Sequence, residues 1–236
     1  MNHAIEIKNL NVSLAGRRIL EDVGLTVRRG GFSVLIGANG AGKSTLVKAV
    51  CGLEKYSGII NVSGKDIKET DKSVIGYVPQ NNVSERNSPL SVYQAVSVGR
   101  FAKNGILGRF KDSDDKIVRD CIKISQIEHI TDSSLGEISG GEAQKVSVAR
   151  VLTQQPEIML LDEPQSGLDP GSQRTFVNFI ESLYADFKFT CFMVTHDIDL
   201  IPGCCEKVFM LKNGKVVLET DNCDIMEKAG QYNVYE

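Results

Sequence analysis

Residues 37–44 read Gly-Ala-Asn-Gly-Ala-Gly-Lys-Ser and follow the apolar run 32–36 directly. The spacing fits the pattern GxxxxGK[ST] in full. Glycines let such a loop wrap closely, so that successive backbone N–H groups point at phosphate oxygens. Its lysine reaches the β- and γ-phosphates, and the next hydroxyl can ligate Mg²⁺. The pattern predicts a nucleotide-phosphate site that comprises Gly37, Ala38, Asn39, Gly40, Ala41, Gly42, Lys43, Ser44 and Thr45.

Two adjacent carboxylates end a second apolar run. Residues 158–161 are all apolar and predict a buried strand, and Asp162 and Glu163 come directly after it. Two acids after a strand are often only a solvated strand end. In combination with the glycine loop, they predict that Asp162 holds Mg²⁺, directly or through water. Glu163 is then the candidate general base that polarises an attacking water molecule.

A third cluster opens a predicted helix. Ser139, Gly140 and Gly141 precede residues 143–152, and a serine followed by two glycines at a helix start can bind an anion. On its own this pattern is typical of an ordinary helix cap. It becomes a candidate phosphate contact only because of the motifs that accompany it.

The elements that must position these residues alternate between strands and helices. Period-two alternation in the first 30 residues predicts antiparallel strands that are joined by a turn at 16–18. Apolar residues recur at helical spacing after residue 84. The alternation implies an α/β fold with a mainly parallel sheet core, an N-terminal antiparallel β subdomain and a helical subdomain inserted at about 84–153. Further predicted strands are 32–36, 59–62, 74–78, 158–161, 191–195, 208–211 and 216–218, and predicted helices are 43–51, 142–153, 172–183 and 224–228.

Composition limits the class of protein. Apolar residues make up 42% and charged residues 24% of 236 residues, values that are ordinary for a globular protein. A formal net charge of −3 gives no basic footprint, so we expect no nucleic-acid partner. Six scattered cysteines are expected to be reduced thiols in the cytoplasm. We see neither a signal peptide nor an apolar run of about 18 residues, so any membrane role is expected to come through a partner.

The motifs together resemble the nucleotide-binding subunit of ATP-binding cassette (ABC) transporters, over nearly the whole chain. The matching stretches, in the family's order, are GANGAGKS, YVPQ with Gln80, ISGGE from Ile138, IMLLDE, SGLD with Asp169, and VTHD with His196. The resemblance implies that residues 1–236 form a single ATPase domain. P-loop kinases and small GTPases lack the SGGE and THD elements.

The resemblance also implies a mechanism, which requires ATP and Mg²⁺. Two copies of the chain would pair head to tail as a homodimer, with Ser139, Gly140 and Gly141 of one copy on the γ-phosphate of the other. Gln80 would contact Mg²⁺ and the γ-phosphate, and His196 would hold the γ-phosphate and the attacking water. Asp169 would contribute to the nucleotide site.

The sequence departs from the family pattern at two places. Ala15 stands where the family usually has an aromatic residue that stacks on adenine, so we expect looser recognition of the base, with activity retained. Glu142 replaces the usual glutamine of the signature, and Ile138 the usual leucine. Both are mild changes, because a carboxylate still suits the first turn of a helix.

The branch within the family is indicated by the helical insert. Its PLSV phrase at 89–92, the Gly99-Arg100 step and the turn 105–109 resemble the Zn²⁺/Mn²⁺ importer branch, as does Ile201-Pro202. The implied partners are an integral membrane permease, which docks near Gln80, and indirectly an extracytoplasmic binding protein. The chain would be cytoplasmic and peripheral on the inner face of the cell membrane. Iron-chelate or vitamin B12 importers, and a soluble ATPase of iron–sulfur cluster assembly, stay open as alternatives.

Overall fold

A computed structural model describes residues 3–80, 88–105 and 108–225. Within these residues the strands form one four-stranded and one six-stranded sheet. The strands are β1 (His3–Leu14), β2 (Arg17–Arg28), β3 (Phe32–Ile36), β4 (Ser57–Val62), β5 (Lys65–Asp66), β6 (Ile75–Val78), β7 (Ile158–Asp162), β8 (Thr190–Thr195), β9 (Lys207–Lys212) and β10 (Lys215–Asp221). The helices are α1 (Lys43–Val50), α2 (Val92–Ser97), α3 (Phe101–Asn104), α4 (Asp112–Ile124), α5 (Gly140–Leu152) and α6 (Pro170–Phe187).

The smaller sheet is antiparallel and has the order β2-β1-β4-β5. The predicted antiparallel pair at the N-terminus is therefore confirmed, but its turn lies elsewhere. Ala15 and Gly16 form the turn, with φ of 47° and 77°, while Arg17 and Arg18 already belong to β2. Left-handed backbone at both central residues is what a tight two-residue hairpin requires. The prediction of a turn at 16–18 was shifted by one residue, because it was based on Gly16 as the first turn residue.

The larger sheet has the order β10-β9-β3-β8-β7-β6 and is parallel from β9 to β6. Its strands β3, β7 and β8 are buried along their whole length, as expected for strands covered on both faces. The hairpin of β9 and β10 turns at Asn213 and Gly214, with φ of 49° and 77°, as the sequence predicts. Because β3, β7 and β8 are parallel, the loops after all three emerge at the same edge of the sheet.

Two apolar clusters lie on opposite faces of the larger sheet. Leu46 and Val47 of α1 pack with the antiparallel sheet on one face. Phe176 and Ile180 of α6 pack on the other. The sheet and its flanking helices therefore hold the loops at its carboxyl edge from both sides.

A third apolar cluster joins α2, α4 and α5. It includes Val92 and Val96 of α2, Val118 of α4 and Val146 of α5. The predicted helical character of this region is confirmed where it is described, while residues 81–87 and 106–107 lie outside the described residues. The helical spacing after residue 84 predicts that Val98 is buried, but its side chain is 45% exposed. Of the predicted helix at 224–228, only residues 224 and 225 are described, and Asp224 lies in a short 3₁₀ turn, Asn222–Asp224.

The Gly99-Arg100 step has a packing role. A Cβ atom at Gly99 would overlap the carbonyl oxygen of Arg150 and the hydroxyl of Thr153, so only glycine fits against the end of α5. Arg100 is buried, pairs with Asp114 of α4 at 2.7 Å and donates to the carbonyl oxygen of Thr153 at 2.6 Å. The step therefore fastens the segment after α2 to both α4 and α5.

Candidate nucleotide site

The glycine loop connects β3 to α1 at the carboxyl edge of the larger sheet. Gly42 has φ of 108° and precedes the first residue of α1, and a Cβ atom there would lie 2.7 Å from Leu20 Cδ2. At Gly37 a Cβ atom would overlap the carbonyl oxygen of Leu211. The loop thus needs glycine at both positions, because its backbone lies directly against β2 and β9.

Lys43 lies inside this loop and is only 4% exposed. Its Nζ donates to the carbonyl oxygens of Gly37 at 2.7 Å and Ala38 at 3.0 Å. The same Nζ lies 3.0 Å from Glu163 Oε1. A buried ammonium group with one carboxylate and two carbonyls around it is ready to exchange one of those partners for a phosphate oxygen.

Asp162 ends β7 beneath the first turn of α1. Ser44 Oγ donates to its Oδ1 at 3.0 Å, and Tyr77 Oη donates to its Oδ2 at 3.2 Å. Burial raises the pKa of Asp162, although the hydrogen bonds from Ser44 and Tyr77 act in the opposite direction. Burial and the neighbouring Asp162 also raise the pKa of Tyr77. The Ser44 hydroxyl and the Asp162 carboxylate are thereby held next to each other, as a pair of oxygen ligands requires.

Glu163 is the point where three predicted site residues meet. Gln80 Nε2 donates to its Oε2 at 3.1 Å, and His196 Nδ1 lies 3.1 Å from the same oxygen, while Lys43 approaches Oε1. The residue is 4% exposed and has a φ of 46°, left-handed backbone that is uncommon for a residue with a side chain. Residues from the ends of β3, β6, β7 and β8 therefore converge on one buried carboxylate.

A cleft of about 680 Å³ opens in front of these residues. The glycine loop, Gln80, Glu163 and the two arginines of β2 all contribute to its lining. The lining residues are Arg17, Arg18, Ile19, Asn39, Gly40, Gly42, Lys43, Ser44, Thr45, Gln80, Glu163, Asn213 and Gly214. Among the described lining residues none is aromatic, and Ala15 is not one of them.

The signature residues lie apart from this cleft. Ser139 caps α5 and the glycines Gly140 and Gly141 form its first turn, and none of the three lines the cleft. Asp169 caps α6, where its carboxylate accepts from the backbone N–H groups of Gly171 and Ser172, both at 3.1 Å. Hydrogen bonds from Ser172 lower the pKa of Asp169. Within one copy, then, both motifs serve as helix caps, and their predicted contacts with nucleotide stay predictions.

The residues present fit ATP with Mg²⁺. The glycines let the loop backbone pack closely against β2 and β9, and the buried ammonium group of Lys43 matches a polyphosphate anion. The hydroxyl of Ser44 and the carboxylate of Asp162 are oxygen ligands of the kind that Mg²⁺ prefers.

Several contributors to the site were missed by sequence reasoning. Arg17 and Arg18 were assigned to a turn, although both belong to β2 and line the cleft. Tyr77 was assigned only to a strand. Gln165 is buried and donates to Thr195 Oγ1 at 2.7 Å, which ties the segment after Glu163 to the strand that precedes His196. No short motif marks these residues, because their contacts are with residues that are distant in sequence.

A sequence profile described as "ABC transporter" matches residues 20–166, which span the glycine loop, the signature and the paired carboxylates. The chain belongs to the ABC transporter family. It is an ATP-binding subunit and an ATPase of this family, whose defining motifs it carries at the positions described above.

Individual ABC transporter proteins are similar over most of the chain. The manganese transport system ATP-binding protein MntB of Halalkalibacterium halodurans is 34% identical over 89% of this chain and 84% of its own length. The zinc import ATP-binding protein ZnuC of Vibrio parahaemolyticus is 35% identical over 89% of this chain and 74% of its own length. The solved structure of cbiO1 from Clostridium perfringens, part of the ABC transporter complex cbiONQ, superposes with a TM-score of 0.84 at 29% identity, over 97% of this chain and 92% of that one.

Two further observations concern membranes and metals. None of the helices in the described part of the chain is long and apolar enough to cross a membrane. In the same residues, no three His, Cys, Asp or Glu side chains are grouped so that they could hold a metal ion.

Proposed function

We propose that this ABC subunit hydrolyses ATP in a head-to-tail homodimer and thereby drives import of Zn²⁺ or Mn²⁺ through a separate permease. The observation that carries the catalytic part is the convergence of Lys43, Gln80 and His196 on the Glu163 carboxylate. The metal substrate is supported by relatives that are named as manganese and zinc transport subunits.

The catalytic step follows from the exchange of partners at Glu163. A bound γ-phosphate competes for Lys43, whose ammonium group then leaves the carboxylate and contacts the phosphate. The freed Oε1 of Glu163 accepts a proton from the attacking water, while His196 and Gln80 orient that water and the γ-phosphate. Ser44, Asp162 and Gln80 would hold Mg²⁺, which neutralises phosphate charge when bound. The left-handed backbone of Glu163 keeps its side chain aimed into the cleft.

We infer that an arginine side chain recognises the adenine base. Arg17 and Arg18 stand where the cleft leaves the phosphate loop, and no aromatic side chain is among its described lining residues. Arg18 is paired with Glu21 at 3.2 Å, whereas Arg17 has no hydrogen-bond or ion-pair partner recorded among the described residues. A guanidinium group stacks on flat π-systems, so Arg17 is the candidate that takes the place of the usual aromatic residue.

Closure of the dimer would complete each site. Ser139, Gly140, Gly141 and Asp169 of one copy would face the nucleotide that is held by the glycine loop of the other. This arrangement is supported by the absence of the signature residues from the lining of their own copy's cleft. A helix N-terminus such as that of α5 favours a bound phosphate.

The permease is expected to dock on the segment that follows Gln80. Among the described residues between 90 and 110, four large apolar side chains are between 37% and 45% exposed, namely Leu90, Val98, Phe101 and Phe110. Such side chains favour contact with another protein. The chain would accordingly lie on the cytoplasmic face of the membrane, and an extracytoplasmic binding protein would deliver the metal to the permease.

Metal uptake in cells tests the substrate. A strain that lacks the chain should lose accumulation of radioactive Mn²⁺ or Zn²⁺, and the wild-type gene should restore it, while Glu163→Gln should not. If the strain accumulates both metals normally but loses uptake of an iron chelate or vitamin B12, the protein belongs to that other importer class. Normal uptake of all of them would remove the importer assignment.

A further inference from the structure

The signature serine is already engaged by a charged side chain. Ser139 Oγ donates to Glu142 Oε2 at 2.6 Å, and the backbone N–H of Ser139 donates to the same oxygen at 2.8 Å. Hydrogen bonds from Ser139 lower the pKa of Glu142, so the carboxylate is ionised throughout the physiological range. The hydroxyl proton that a phosphate would accept is therefore held by an anion of the same copy.

The other oxygen of this carboxylate meets a histidine. His129 Nε2 lies 3.0 Å from Glu142 Oε1, and the His129 side chain is 65% exposed. His129 belongs to a short 3₁₀ turn, Glu128–Ile130, so its contact with the signature depends on how the chain folds back onto α5. Ser139, Glu142 and His129 thus form a continuous chain of polar contacts that ends in solvent.

Among the described residues, few charged side chains lie beside Ser139, Glu142 and His129. The recess next to it is lined by Gln126, His129, Gly141, Glu142, Lys145, Ser172, Thr175 and Phe176. Lys145 is its other charged member, but its Nζ donates to Gln126 at 3.3 Å and stands over the ring of Phe179. The α6 side of the recess contributes only uncharged side chains, so within the recess His129 is the titratable partner of Glu142.

We propose that His129 is a positioning residue for the signature, which acts through Glu142 and makes closure of the ATP-bound dimer depend on protonation of its imidazole. A negative charge at Glu142 repels an arriving γ-phosphate and retains the Ser139 hydroxyl. A protonated His129 shares that charge, weakens the hold on the hydroxyl and lets it donate to the phosphate. Histidine is the side chain whose charge commonly changes between about pH 5 and 8. This inference rests on the head-to-tail dimer proposed above.

The test measures ATP-dependent dimerisation as a function of pH. Full-length Glu163→Gln protein, which should bind ATP without turnover, is studied by analytical ultracentrifugation with ATP and Mg²⁺ at three pH values between 6 and 8. We expect the dimer dissociation constant to rise about fivefold across this range, the effect of one partly exposed charge pair. The same measurement is made with His129→Gln, His129→Arg and Glu142→Gln added to this background.

The three added changes separate a charge effect from simple loss of packing. His129→Gln should give the weaker dimer at every pH, and His129→Arg the tighter dimer at every pH, because its charge does not titrate. Glu142→Gln should give a tight dimer without pH dependence. A pH slope that persists in His129→Gln, or no slope in the parent, would overturn the assignment. Failure of every variant to dimerise with ATP would overturn the head-to-tail dimer itself, and this inference with it.

Discussion

At the scale of single residues, we propose that the Glu163 carboxylate is the general base on which ATP hydrolysis depends. It is buried and accepts contacts from Lys43, Gln80 and His196. Glu163→Gln keeps the shape of the side chain but removes the base, and its single amide oxygen can accept at only one of the two carboxylate positions. Turnover should fall by about 10²–10⁴-fold, the usual contribution of a general base, while ATP binding persists. Phosphate release and equilibrium binding of a fluorescent ATP analogue measure the two effects separately.

The matched control for this change is Glu219→Gln. Glu219 lies on β10 with its side chain 49% exposed, and its nearest cation, Lys207, is 3.7 Å away. Its substitution should leave both turnover and binding unchanged. If Glu163→Gln retained wild-type turnover, the assignment of Glu163 as base would be wrong.

Arg17 offers a second test at this scale. If its guanidinium group stacks on the base, Arg17→Ala should weaken ATP binding roughly two- to fivefold, as expected for an exposed cation–π contact. Arg29→Ala serves as the control, because Arg29 pairs with Glu157 at 3.1 Å outside the cleft. Isothermal titration with ATP gives the affinities. Equal affinities of the wild type and Arg17→Ala would mean that the base lies elsewhere.

The sequence marks the proposed phosphate contacts clearly, but it gives no sign of the proposed contact with the adenine ring. Lys43, Asp162 and Glu163 belong to contiguous patterns whose chemistry requires those residue types at that spacing. Arg17 belongs to β2 because the turn of the first hairpin consists of residues 15 and 16. A shift of strand pairing by one residue turns every side chain of that strand to the other face, so a small error in the turn conceals this residue. The contact between Tyr77 and Asp162 likewise joins residues that are far apart in sequence.

At the scale of elements, the segment after α2 depends on one close approach. Gly99→Ala would place a Cβ atom against Arg150 and Thr153 at the end of α5. Such overpacking should lower the free energy of unfolding by about 1–3 kcal/mol. Urea denaturation followed by circular dichroism measures it.

Gly24→Ala is the control for that change. Gly24 lies in β2 without left-handed backbone, and its added Cβ atom would meet only Ile7 O at an ordinary 3.7 Å. Its stability should equal or slightly exceed that of the wild type. A Gly99→Ala protein as stable as Gly24→Ala would show that the segment can move away from α5 without cost.

Element types are predictable here, but their arrangement is not. Apolar runs such as 158–161 and the helical spacing after residue 84 depend on local pattern, so strands and helices appear where expected, with ends displaced by a few residues. The α6 helix, for example, extends from Pro170 to Phe187 because Asp169 caps it and proline suits its first turn. The strand order β10-β9-β3-β8-β7-β6 depends on contacts between distant segments.

At the scale of the whole molecule, the exposed apolar side chains of residues 90–110 should carry the contact with the permease. Phe101→Ser should reduce co-purification with the permease while ATPase activity of the isolated subunit is unchanged, because Phe101 is 41% exposed and does not line the cleft. Phe187→Ser is the control, since Phe187 is comparably exposed, at 49%, but lies at the end of α6. Equal co-purification of both variants would place the docking surface elsewhere.

The head-to-tail dimer is the central claim about the assembly, and a photoreactive ATP analogue tests it directly. The analogue carries its reactive group on the γ-phosphate. Glu163→Gln protein, which should bind nucleotide, is mixed with affinity-tagged Lys43→Ala protein, which lacks the lysine proposed to contact the phosphates. The labelled peptides are identified by mass spectrometry. A head-to-tail dimer predicts label on the tagged copy, in the peptide that contains Ser139. Label confined to the glycine loop and neighbouring residues of the Glu163→Gln copy would contradict it.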